Sequence, residues 1–244
     1  IDKSGVKGID FNLTSSAGSA NNCVISGNLF SNIVGAAVNI SGSNHLFERN
    51  IIERMSGWWI FTFGGDNNVF RYNHIRNSPR YEGFGAPGDG AVHSDGPGSW
   101  DFYSSIFRSF GSPSISSVNN VFEYNIVENV DNQFMTIGAY APGLSTAPKT
   151  SSKTIFRNNV FSGIEGQGAI HRPETVFQNN TFYNAAFDAT GGPVIIVSGT
   201  SEGSADGSVI KANAFVGNST ADPTRTTGGY YYVQNAVMAE APNY

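Results

Sequence analysis

Short apolar runs recur along the chain, and each is followed by an asparagine at a fixed place. The pattern is an aliphatic residue, Phe or Ile, two residues of any kind, then Asn, with another apolar residue two positions later. The asparagines are Asn28, Asn50, Asn73, Asn125, Asn159, Asn180 and Asn213. Their steps of 22, 23, 52, 34, 21 and 33 residues indicate a repeat near 22 residues with three lengthened copies. A repeat of this length predicts a solenoid.

The repeat predicts strands rather than helices. Each unit alternates apolar and polar positions in short runs rich in Val, Ile and Phe, with Asn, Gly and Ser between the runs. About 22 residues accommodate three short strands and three bends, and stacked coils pair equivalent strands about 4.8 Å apart. We expect the recurring Asn at a bend in left-handed backbone, with its amide bonded to the Asn of the next coil. The Phe column is expected to stack inside the coil.

Charged positions support the same register. In successive units the residue after the Phe is Glu48, Arg71, Glu123 or Arg157, and the residue before the next bend is Glu53, Arg76 or Glu128. The signs alternate down both columns, as opposite charges on neighbouring strands prefer. We therefore expect outward-facing ion ladders in contact with solvent. Because the alternation continues across the 52-residue step, it favours one coil with a long insertion over two coils.

The repeats from Val24 to Asn213 resemble those of right-handed parallel β-helix proteins, the pectate-lyase-like superfamily. The resemblance implies an all-β fold, a single-stranded right-handed parallel β-helix of about eight turns with long loop insertions. Continuous repeats favour one domain over residues 1–244. We take the chain as a mature form or a fragment of a longer secreted protein. Function is less constrained, because this fold hosts lyases, hydrolases, epimerases, phage tailspikes, adhesins and structural spans.

Composition narrows the expected partners. Charged residues make up only 14% of the chain and the net charge is −5, so no basic surface suggests nucleic acid. No apolar run approaches the about 20 residues of a membrane span. The single cysteine, Cys23, is expected to be a small buried residue. Together with the resemblance, this predicts an extracellular or cell-surface protein, a monomer or homotrimer, whose partner is a polysaccharide.

The third strand of each coil gathers the candidate chemistry. We align these strands on Val38, Ile60, Val92, Met135 and Ile170, which makes the next column Asn39, Phe61, His93, Thr136 and His171. Alternation would turn this column outward, with His93 and His171 about 10 Å apart and Thr136 between them. The long insertions after Asn77 and Gly138 would flank the same strand. Loops on one side of a rigid solenoid form clefts, so we expect the site there.

Polysaccharide cleavage assigns roles to these residues. Elimination at a uronic acid needs a base and a cation that neutralises the carboxylate. His93 would be the base, Asp89 or Asp95 would orient it, and His171 with Arg172 would neutralise or position the substrate. Hydrolysis would instead need two carboxylates about 5 to 9 Å apart, drawn from the acidic loop residues. The candidates for substrate binding, through sugar stacking or polar contacts, are Trp59, Phe61, Arg80, Tyr81, Glu82, Trp100 and Thr136.

Two classes of function stay open at this point. The first is a carbohydrate-active or carbohydrate-binding protein, either a polysaccharide lyase or a glycoside hydrolase, that requires no cofactor. No metal ligands are assigned, although His93 with Asp89 would make a weak site and calcium stays open. The second is a non-catalytic structural or adhesive β-helix, such as a segment of a phage fibre or surface protein. In that case the asparagine and ion columns would be the whole purpose of the repeat.

Overall fold

The computed structural model describes thirteen ranges of the chain, and all of its regular elements there are strands. The ranges are 7–10, 21–33, 36–54, 59–78, 105–109, 118–130, 133–137, 153–164, 168–170, 173–185, 195–198, 206–216 and 231–234. The strands form three sheets in which every pair of neighbours is parallel. We name the sheets first, second and third in the order in which the chain passes through them within one coil.

The first sheet has seven short strands. They are β2 (Val24–Ser26), β5 (Leu46–Glu48), β8 (Val69–Arg71), β11 (Val121–Glu123), β14 (Ile155–Arg157), β17 (Val176–Gln178) and β20 (Val209–Lys211). The second sheet also has seven strands. They are β3 (Leu29–Ser31), β6 (Ile51–Glu53), β9 (His74–Ser78), β12 (Ile126–Val130), β15 (Val160–Ile164), β18 (Thr181–Ala185) and β21 (Ala214–Val216).

The third sheet has eight strands. They are β1 (Lys7–Asp10), β4 (Ala36–Ser41), β7 (Trp59–Gly64), β10 (Ser105–Ser109), β13 (Gln133–Ile137), β16 (Gly168–Ile170), β19 (Ile195–Ser198) and β22 (Tyr231–Gln234). One strand from each sheet in chain order makes a coil, so the described residues form seven three-stranded coils that follow β1. The predicted all-β solenoid of parallel strands is confirmed. β8 pairs directly with β11, so the 52-residue step from Asn73 to Asn125 is one coil, as the charge pattern favours.

The predicted asparagine ladder runs through all seven coils. Each side-chain amide donates to the Oδ1 of the next coil's asparagine at 2.9–3.1 Å, from Asn28 through to Asn213. From Asn50 onward the same amide also donates to a main-chain carbonyl of the preceding coil, such as Ile25 for Asn50. The ladder therefore satisfies its buried amides within the solenoid.

The predicted left-handed conformation of the ladder asparagines is wrong. Positive φ falls on the residue that precedes each of them, as in Arg49 (φ 53°), Tyr72 (φ 56°) and Tyr124 (φ 56°). The chain turns at that preceding residue, which leaves the ladder asparagine free to point inward and reach its neighbours in the adjacent coils. Gly27 (φ 69°) and Asn179 (φ 54°) occupy the same place in other coils.

A second ladder, which the repeat pattern did not predict, lies at the bend before the first sheet. The N–H of Cys23 donates to His45 Nδ1 at 3.2 Å, and the N–H of His45 donates to Asn68 Oδ1 at 2.9 Å. The N–H of Asn68 in turn donates to Asn120 Oδ1 at 2.9 Å. His45 is buried here, so its imidazole has a structural part in the ladder.

Stacked aromatic rings fill the inside of the coils, as predicted. The rings of Phe70, Phe122 and Phe156 lie almost parallel, with centroids 4.7 and 4.5 Å apart. A second column runs through Phe161 and Phe182, whose centroids are 5.0 Å apart. All five rings are fully buried. Their burial and the two ladders make a rigid rod that displays its outer residues at fixed spacing.

Candidate functional site

The third sheet has a different register from the one that the sequence predicts. Val38 pairs with Phe61 rather than Ile60, and Phe61 pairs with Phe107. The strand between β7 and β13 is therefore Ser105–Ser109, and the prediction that Val92 and His93 supply it is wrong. Arg108, which the predicted alignment leaves outside the third sheet, lies in this strand.

The predicted outward column is also wrong on both sides of β10. Phe61 belongs to the register column of Met135, one place before Thr136. Thr136 pairs with Ala169, so His171 does not continue its column. The alignment on Ile170 is two residues off, because Met135 pairs with Gly168. No residue type recurs at one position of the third-sheet strands, as the asparagine does at the bend. Alternation of apolar and polar residues alone does not fix the register of these strands.

Only three of the predicted site residues fall in described elements. Trp59 and Phe61 lie in β7 and Thr136 lies in β13, all in the third sheet. The others lie outside the described residues: His93, His171, Arg172, Asp89, Asp95, Arg80, Tyr81, Glu82 and Trp100. Their predicted roles stay predictions.

In the corrected register, one column of the third sheet is polar over five successive strands. Its members are Asp10, Asn39, Thr62, Arg108 and Thr136. These positions are consecutive along the solenoid, about 4.8 Å apart. The column therefore places five polar residue types, among them one acid and one arginine, at successive register positions along the axis.

Connections of variable length attach only to the third sheet. Two residues join the first sheet to the second in every coil. By contrast, 26 residues separate Ser78 of β9 from Ser105 of β10, and residues 138–154 follow β13. The two long segments attach to opposite ends of neighbouring strands, so the prediction that both flank one strand is wrong. The first still attaches to β10 and the second to β13, and these are the two central strands of the sheet.

The bend between the first and second sheets carries exposed side chains of a different kind. We call Arg49, Tyr72 and Tyr124 the bend row, since they occupy the same bend in three successive coils. The rings of Tyr72 and Tyr124 stack with centroids 5.2 Å apart. The guanidinium carbon of Arg49 lies 6.0 Å from the centroid of Tyr72, within cation–π range. Both tyrosines stay nearly half exposed.

Two glutamates, Glu48 beside the bend row and Glu53 at the bend after the second sheet, are each held by two arginines. Glu48 accepts from Arg71 Nε at 2.9 Å and from Arg49 Nη1 at 3.0 Å. Glu53 accepts from Arg54 Nη2 at 2.9 Å and from Arg76 Nε at 3.0 Å. The predicted ion columns are thus present as pairs, but Glu48 and Glu123 are only 8% exposed and are not solvated as predicted.

Hydrogen bonds from Arg54, and then from Arg76, hold the pKa of Glu53 below its ordinary 4.5. A carboxylate with a depressed folded-state pKa stabilises the fold above its unfolded pKa, and this contribution is lost as the pH falls through the folded value. We therefore expect wild-type protein to be more stable than Glu53→Gln at pH 7, with the gap closing as the pH drops below about 4.5. Urea denaturation at several pH values measures the gap.

A companion variant tests the cause. Arg54→Gln removes the first donor, so an NMR titration should place the Glu53 pKa closer to its ordinary value than in the wild type. A gap between wild type and Glu53→Gln that stays constant from pH 7 to pH 3 would contradict this explanation.

His74 is a titratable residue that the sequence reasoning missed. Its Nε2 lies 2.7 Å from Glu128 Oε1, and both side chains are about one-third exposed. The sequence carries a signal for His74: in the two neighbouring strands, the equivalent outward positions hold the apolar residues Ile51 and Ile126. Within the ranges that the structure describes, no three His, Cys, Asp or Glu side chains group as ligands for a metal ion.

The family comparison agrees with the strand topology. A family model described as a right-handed beta helix region matches residues 7–182, and the chain belongs to that family. The expected right-handed parallel β-helix is therefore confirmed. No curated protein matches the chain in sequence. Across the described ranges, no helix has the length and apolar character to cross a membrane. The fold defines the class of protein, while function has to be argued from the surfaces.

Proposed function

We propose that the protein is an extracellular, carbohydrate-active β-helix that acts on or binds a polysaccharide along its third sheet. One observation carries this proposal: the connections that vary in length all attach to the third sheet, and the longest attach at β10 and β13. Binding and catalytic residues are often found on loops held by a rigid scaffold. A groove along a solenoid also suits an extended polymer, because equivalent positions repeat along its axis.

The polar register column supports the same location. Arg108 lies between Thr62 and Thr136 in that column; the first long connection leads into its strand and the second leaves the strand of Thr136. In elimination at a uronic acid, a cation neutralises the carboxylate while a base removes the neighbouring proton. We assign Arg108 to the cation role beside Arg172, and we keep His93 as the base. His171 would position the substrate, and Asp89 or Asp95 would orient the base.

A turnover screen tests the proposal. The protein is incubated with uronate-containing and neutral polysaccharides, with calcium and with a chelator, while unsaturated products and new reducing ends are followed. Unsaturated product that disappears in His93→Ala and falls in Arg108→Gln would support a lyase. Reducing ends without unsaturation would support a hydrolase and move the roles to Asp89, Asp95 and Glu82.

Lys211, in β20 of the first sheet, provides a matched control for the charge change. Lys211→Gln removes one cation from a sheet outside the proposed groove and should retain full activity. All variants should show the wild-type denaturation midpoint, because a partly unfolded variant would lose activity for another reason. Equal losses in Arg108→Gln and Lys211→Gln would argue against a role for Arg108.

A second candidate is a non-catalytic structural or adhesive β-helix. One observation favours it: the described polar columns of the first and second sheets are tied into ladders and ion pairs that support the rod itself. A protein of this kind would release no product from any polysaccharide, while His93→Ala would fold normally and change nothing else.

A further inference from the structure

We infer that a second polysaccharide-binding surface lies along the bend row Arg49, Tyr72 and Tyr124, and that it takes chains rich in uronic acid. The inference rests on the proposed function, since it names the class of polysaccharide and a further surface that holds it. This surface lies between the first and second sheets and is separate from the groove proposed on the third sheet.

The arrangement of the row is the first argument. Arg49, Tyr72 and Tyr124 have φ between 53° and 56° and occupy one bend in three successive coils. Positive φ does not set them apart, because bulky residues such as Arg54 and Glu174 adopt it at other bends. All three side chains are exposed and the two tyrosine rings stack, so the row presents a continuous outer surface along three coils.

Charge is the second argument. Among the described residues that flank the bend row, three arginines, Arg49, Arg71 and Arg157, pair with two carboxylates, Glu48 and Glu123. The carboxylate side chains are 10% and 11% exposed, whereas those of the three arginines are 66%, 36% and 41% exposed. These five residues carry a net charge of about one positive unit on a chain whose net charge is −5. Charge complementarity favours an anionic partner.

The aromatic rings indicate what kind of anion. Tyr72 and Tyr124 are stacked and exposed, and they offer phenol hydroxyls and apolar ring surface to a ligand that carries both polar and apolar faces. The bend continues past them through Asn158 and Asn179, so a cation, two aromatic rings and two amides follow one another about 4.8 Å apart. A linear chain of carboxylated sugar rings lying along the axis meets each of them in turn.

Arg49 can be changed without leaving a buried carboxylate alone, because Arg71 still pairs with Glu48 in Arg49→Gln. We expect this variant to bind polygalacturonate several-fold more weakly than the wild type, measured by titration calorimetry at low salt. Wild-type binding should weaken as salt is added, because exposed charges are screened. The matched control is Arg54→Gln at the bend after the second sheet, where Arg76 still pairs with Glu53. It removes the same charge away from the bend row and should bind as the wild type does.

Tyr124→Asn tests the aromatic part separately from folding. Asparagine suits the left-handed backbone of this bend, so the denaturation midpoint should stay at or above that of the wild type. Binding of polygalacturonate should nevertheless fall several-fold, because the exposed ring is lost. Unchanged binding in this variant would overturn the assignment of the tyrosines.

The probes also separate this inference from the proposed function. Equal binding of polygalacturonate and a neutral β-glucan, or equal losses in Arg49→Gln and Arg54→Gln, would overturn the inference and leave polysaccharide binding intact. Binding of no polysaccharide, charged or neutral, would overturn both. Tighter binding of a single-stranded DNA of equal charge would also overturn it, because the surface would then recognise charge and base stacking rather than sugars.

Discussion

Asn125→Ala is expected to lower the free energy of unfolding by about 4 kcal/mol. The Oδ1 of Asn125 accepts from both the main-chain N–H and the Nδ2 of Asn73, each at 3.0 Å. Its Nδ2 donates to Asn159 Oδ1 and to the carbonyl of Phe70, also at 3.0 Å. Alanine would leave two donors of Asn73 without their acceptor in a site that excludes water, and each unsatisfied buried group costs about 1–3 kcal/mol.

The end of the same ladder supplies the control. Asn28 is exposed and occupies the first coil, and after its truncation Asn50 Oδ1 would still accept the main-chain N–H of residue 28. Asn28→Ala should therefore cost less than about 1 kcal/mol. Urea denaturation of both variants measures the difference. Similar losses at the two positions would show that the ladder contributes little beyond local bend geometry.

Much of this solenoid could be predicted because its first and second sheets repeat without variation. Two residues always separate their strands, so one conserved spacing carries both the asparagine and the inward aromatic residue to equivalent places. The ladder from Asn28 to Asn213 and the stack through Phe122 follow directly from that period. The prediction put the left-handed conformation on the ladder asparagine, one residue too far along the chain. The sequence shows which residue recurs, but it does not show which residue of the bend adopts positive φ.

The third sheet could not be predicted to the same level. Its strands are reached through connections of unequal length, and no invariant residue marks where each strand begins. Alternating apolar residues then allow several alignments, and a slip of one residue exchanges the two faces of a strand. This is why the alignment predicts Val92 and His93 where Ser105–Ser109 forms the strand, and groups Phe61 with Thr136. The bend row was missed for another reason: outward positions follow no apolar pattern.

Phe122→Ala should cost about 4 kcal/mol of unfolding free energy, in the range for truncation of a buried Phe. The ring lies between Phe70 and Phe156, with interplanar angles of 5° and 7°, and has no exposed surface. Its loss removes contacts with rings on both sides at once. The main chain on either side is fixed by the asparagine ladder, so the coils cannot easily close the gap, and the cavity term adds to the transfer term.

The last coil offers a comparison for this variant. Phe215 stacks on Phe182 at 5.0 Å but is only partly buried, so Phe215→Ala should cost about half as much. Denaturant unfolding of both variants, with m-values checked for a common two-state transition, measures the ratio. Equal losses of unfolding free energy in the two variants would mean that the middle of the solenoid relaxes around a cavity as easily as its end does. The ladder and the aromatic stack would then act as separate coil-by-coil contacts rather than as one continuous rod.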